Sequence, residues 1–77
     1  MAMEAKEWID AYATRLGVEP PTTEEFAAIL ELAAEAAHAS ERVAAPVACW
    51  LSAKAGLGLP ESVGAAREVS GGGDSQA

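Results

Sequence analysis

The 77-residue sequence predicts an all-α protein, a small helical bundle of three main helices plus a short fourth C-terminal helix. Three observations carry this. Alanine, glutamate and leucine dominate while β-branched residues are sparse, and no stretch shows the two-residue alternation of a strand. Apolar positions recur at helical spacing. Prolines and glycines fall between those periodic segments, where helices must stop or start.

The first segment, "MEAKEWIDAYATRLG", places Ala5, Trp8, Ile9, Tyr12, Ala13 and Leu16 on one stripe and the charged residues on the other side. Gly17 follows as a left-handed cap, with Val18 as its hydrophobic companion. Tandem prolines at 20 and 21 forbid continuation. Thr22 and Glu25 then have the spacing of a capping box, and a second helix is expected from about Thr23 to about Arg42. Its buried face reads Phe26, Ile29, Leu30, Ala33 and Ala37, with Leu32 and Ala36 flanking and Glu31 and Glu35 facing away. The alanines from 33 to 37 would let another helix approach closely. Pro46 pushes Ala45 out of the α region and suits the first turn of a third helix, Pro46 to Ala55, which buries Val47, Trp50 and Leu51 and ends at Gly56. After "GLGLP", Pro60 opens the short fourth helix to Val69. Residues 1–69 thus form one helical domain and 70–77, "SGGGDSQA", a flexible Gly-rich tail.

Composition limits function. Hydrophobic residues make up 51% of the chain, but alanine supplies much of this and buries little area. The core is therefore expected to be small, and a homodimer is one way to support it. Twelve acidic against five basic residues give a net charge of −7, which disfavours nucleic acid and anionic membranes as partners. No apolar run reaches the length of a membrane span, and "MAMEAKEW" is unlike a secretory leader. A cytoplasmic protein with an unpaired thiol at Cys49 is the expectation.

Reactive residues are few. One histidine (His38) and one cysteine (Cys49), eleven residues apart across a proline, form no metal-ligand cluster and no nucleophile–base pair. Cys49 reads as a small hydrophobe beside Trp50. The glycines match no phosphate-binding fingerprint. Neither a catalytic constellation nor a cofactor site is visible, so a non-enzyme is expected.

The informative stretch is "AAEAAHASERVAAPVACWL". His38 and Arg42 stand four apart, one face of a continuing helix, and the start of helix three follows at Pro46. Arginine beside a helix N-terminus whose amides are free can hold a phosphate or carboxylate. Alternatively the stretch is a helix–proline–helix joint. Arg42 then complements the dipole end or pairs with Glu35 or Glu41, its guanidinium near carbonyls of helix two or the first turn of helix three, and His38 packs at a boundary. Both tryptophans read as core at their stripe positions; an exposed one would be an interface anchor. The candidate ligand- or partner-binding residues are His38, Arg42, Pro46 and Trp50.

The order "EWIDAYATRLGV", then a Glu- and Ala-rich helix ending in His38-x-x-x-Arg42-x-x-x-Pro46 with Trp50-Leu51 behind it, resembles a small family of helical domains of unknown function. Those domains occur alone or fused behind a molybdenum-cofactor guanylyltransferase. The resemblance covers about residues 6 to 69, and departs after Leu51, where "SAKAGLG" reaches its glycine late. It implies a context, molybdenum-cofactor biosynthesis or molybdoenzyme maturation, with proteins of that system as partners. It implies no activity. The function expected is a non-catalytic accessory or protein-interaction module. The alternative is a small-anion or nucleotide/pterin-binding domain using Arg42, His38 and the N-terminus of helix three.

Overall fold

The computed structural model describes residues 3–71. It contains four helices and, among the described residues, no strand: α1 (Ala5–Leu16), α2 (Thr23–Ala39), α3 (Ala44–Ala55) and α4 (Leu59–Val69). The all-α bundle read from the sequence is the fold. Helix α2 is its hub. Both α3 and α4 pack along it, whereas α1 meets the other helices only marginally.

Local chemistry sets most of the boundaries. Gly17 has φ 77°, and around it the Gly17 amide donates to the Thr14 carbonyl (3.1 Å) and the Val18 amide to Ala13 (3.0 Å). That pair of bonds closes α1 in a Schellman motif, which needs a left-handed residue and so favours glycine. Gly56, φ 74°, repeats the arrangement at the end of α3, with amides 56 and 57 donating to Ala53 (3.1 Å) and Ser52 (3.2 Å). The capping box at α2 is complete: the Glu25 amide donates to Thr22 Oγ1 at 3.1 Å, and the Thr22 amide to Glu25 Oε1 at 2.8 Å.

The joint between α2 and α3 differs from the expectation. Helix α2 stops at Ala39 instead of Arg42, and α3 begins at Ala44, two residues before Pro46. The amides of Ala44 and Ala45 donate to the carbonyls of Glu41 (2.9 Å) and Arg42 (3.1 Å), tight i→i+3 bonds that attach both residues to the start of α3. Pro46 is then the third residue of the helix. A first-turn amide has no helical acceptor behind it, so proline loses little there, and Ala45 stays helical.

The core is smaller than expected, and on α2 it lies on another face. The buried apolar side chains are Ala13, Leu32 (2% exposed) and Val63, joined by Ser62 (2%). Of the stripe read on α1, Ala13 is buried, but most of the large side chains read as buried are not. Trp8, Tyr12, Leu16, Leu30, Val47, Trp50 and Leu51 are exposed, while Ile9, Phe26, Ile29 and Ala33 are half-buried. The cause on α2 is degeneracy. With Ala, Ile, Leu and Phe around most of its circumference, this helix has two apolar faces, and α3 and α4 use the one carrying Leu32 and Ala36, whose small neighbours allow close approach. Glu31 and Glu35 do not face away: Arg67 of α4 pairs with Glu31 and lies 4.0 Å from Glu35. Ser62 Oγ donates to the Gly58 carbonyl (2.9 Å), which satisfies the one buried polar side chain among the described residues.

At the C-terminus, Ser70 and Gly71 remain bonded to α4, their amides donating to Ala66 and Glu68. The remainder of the expected tail, residues 72–77, lies outside the described residues.

Candidate functional site

All four candidate residues are on the surface, spread over two helices and the connector between them. His38 is exposed in the last turn of α2. Arg42 is exposed in the 40–43 connector, so the two do not share a helix face. Pro46 and Trp50 stand one turn apart on α3, both exposed, with Trp50 60% accessible. Among the described residues the Arg42 guanidinium enters no hydrogen bond or ion pair, and Glu35, its proposed mate, is taken by Arg67. Lys54 Nζ instead sits 5.2 Å from the Trp50 ring centroid, a cation–π contact along the same side of α3.

The start of α3 is poorly equipped to hold an anion. An anion site there needs free amides in the first turn. Those of Ala44 and Ala45 are already bonded to Glu41 and Arg42, and Pro46 has no N–H to offer. The amides counted as free from sequence are occupied because the connector winds tightly into the helix.

Concavity lies elsewhere. A groove of about 410 Å³ runs between α2, α3 and α4, walled by Leu32, Ala36, Val47, Leu51, Ala66 and Val69, with the Ser52 and Ser62 hydroxyls among its few polar groups. A second hollow of about 450 Å³ separates α1 from the start of α2, between Ile9, Pro21, Phe26 and Leu30, with Lys6 and Asp10 at its edge. None of the four candidates lines either hollow. Sequence reasoning missed the groove because three helices contribute small side chains to it. The recurrence of alanine at 36 and 39 and at 65 and 66 was its available signal.

Two exposed apolar faces complete the surface. On α1, the rings of Trp8 and Tyr12 pack against each other with centroids 5.0 Å apart, both half in solvent. On α3, Val43, Val47, Trp50 and Leu51 are each more than half exposed. Cys49 is half-buried beside this second face. Among the described residues, no group of three or more His, Cys, Asp or Glu side chains is placed to hold a metal ion, and no helix is long and apolar enough to cross a membrane.

No curated protein and no solved structure matches the chain. A family model does, over residues 2–72, which takes in all four helices, both caps and both apolar faces. The chain belongs to the family described as Domain of unknown function (DUF6457).

Proposed function

We propose that this domain is a non-catalytic accessory or protein-interaction module, serving molybdenum-cofactor biosynthesis or the maturation of molybdoenzymes. The observation that carries the interaction part is the exposure of both tryptophans, Trp8 at 54% and Trp50 at 60%. Tryptophan and tyrosine are the side chains that most often anchor protein interfaces, and here Trp8 and Tyr12 form a ready pair. The molybdenum part rests on the resemblance carried by His38, Arg42 and Pro46. The anion-binding alternative is less well supported, because the amides it needs at the start of α3 are already engaged.

The test is calorimetric titration of the purified domain against a molybdenum-cofactor guanylyltransferase and against an apo-molybdoenzyme. Binding at micromolar concentration, weakened at least tenfold by Trp8→Ser with Tyr12→Ser, supports the reading. No binding to either at high micromolar concentration removes the molybdenum context. Stabilisation of the domain by free pterin or nucleotide, abolished by Arg42→Ala, would favour the alternative.

A further inference from the structure

We propose that the exposed face of α3 pairs with the same face of a second copy, antiparallel across a twofold axis. This inference is independent of whichever protein the Trp8–Tyr12 face meets. Val43, Val47, Trp50 and Lys54 are spaced four, three and four residues apart, the alternation that keeps one seam facing a partner helix, and Leu57 follows just past the Gly56 cap. Val43, Val47, Trp50 and Leu57 are between 46% and 70% exposed, although α3, which carries Val47 and Trp50, is already built and capped. A seam at this spacing normally faces another helix; among the described residues, none covers it.

Charge fits a second copy at this face, because the seam carries Lys54 at one end and has Glu41 beside the other. The chain carries −7, so two copies repel, and the repulsion is least where acids are absent. Helix α3, "AAPVACWLSAKA", is the one helix of the four without an acidic residue. Antiparallel pairing centred between Val47 and Trp50 sets each against the other across the axis. It brings Lys54 opposite the 41–43 turn of the other copy, within reach of Glu41. Arg42 then falls beside the negative end of the opposing α3, where a cation is favoured. Symmetry makes each of these contacts twice.

Area is sufficient. The exposed fractions of Val43, Val47, Trp50, Leu51 and Leu57 amount to roughly 500 Å² per copy, or about 1,000 Å² for the pair with all of it covered. That reaches the lower bound for a specific interface.

The full chain is examined by sedimentation equilibrium from about 1 to 500 µM. A dimer with a micromolar dissociation constant is expected, and Val47→Glu should weaken it at least 100-fold. Val47 is already 55% exposed, so the variant should keep its helical circular dichroism. Lys54→Glu should weaken association, and combining it with Glu41→Lys should restore it to within a few-fold of the parent, which tests the antiparallel register. A monomer at 500 µM overturns the proposal, even if α3 then captures some other protein. A dimer indifferent to Val47→Glu overturns it as well, since another face would then be responsible. A charge swap that fails to restore association refutes the register on which the proposal stands.

Discussion

Replacing Leu32 by alanine should remove more than half of this protein's stability, whereas the same change two residues earlier should not. Leu32 is 2% exposed and sits where α2 meets its neighbours. Truncation to alanine removes about three methylene equivalents from the interior, worth roughly 2.4 kcal/mol in transfer free energy. A cavity term normally adds to this, but the site borders an open groove that water and neighbouring side chains can enter, so the total belongs near the low end of the roughly 2–5 kcal/mol range for such changes. A domain of this size with so few buried side chains should have about 4 kcal/mol of stability in all. Losing about 2.5 kcal/mol would leave about a tenth of the molecules unfolded at 25 °C and lower Tm by about 10–20 °C. Leu30 is 56% exposed, so Leu30→Ala gives up less apolar burial, and alanine's better helix propensity offsets part of that; at most about 1 kcal/mol is expected. Urea denaturation of both variants, followed at 222 nm, provides the comparison. Equal costs, or a larger cost at Leu30, would refute the assignment of the α2 face.

Three further perturbations follow from the same geometry. Gly17→Ala and Gly56→Ala each place a Cβ in open space but at positive φ, so each should cost about 1 kcal/mol through backbone strain alone, and the double variant should show the sum in urea denaturation. Arg67→Gln should cost about 0.5–1 kcal/mol in low salt, because it breaks the exposed link to Glu31 and Glu35, and its difference from the parent should shrink in 1 M NaCl. Arg42→Ala should change stability by less than about 0.5 kcal/mol, as an exposed side chain without a partner among the described residues allows; a thermal melt showing a loss of 1 kcal/mol or more would restore the reading of Arg42 as the fastener of the joint.

What could be read from sequence followed the specificity of the local rule. The glycine at 17 and the Thr22–Glu25 pair specify their geometry within a few residues, and both formed as read. Burial is a different kind of quantity, decided by which face a distant helix chooses. On α1 the stripe from Trp8 to Leu16 is real, but Trp8, Tyr12 and Leu16 on it stay exposed, and periodicity alone cannot say how much of an apolar face is covered from within the chain. On α2, alanine counts as apolar at nearly every register, so the pattern could not distinguish the face of Leu32 from that of Leu30. Pro46 misled for a third reason: proline marks a first turn without fixing which residue of that turn it occupies. Of the candidate site, exposure of His38 and Arg42 was compatible with either reading, while the tight 41–45 turn depends on hydrogen bonds that no residue type in it demands.

The slight attachment of α1 has a consequence for motion. A helix of twelve residues is marginal in isolation, and this one is joined to the hub through Pro20 and Pro21, with Ala13 its one buried side chain. Its amides should therefore open by detachment and fraying while α2, α3 and α4 stay closed, and exchange with deuterium well before those of α2 around Leu32. The molecule then behaves as a three-helix body carrying a hinged fourth. Whatever binds the Trp8–Tyr12 face would arrest that hinge, and protection gained throughout α1 would report such binding even where no side chain of the partner touches it.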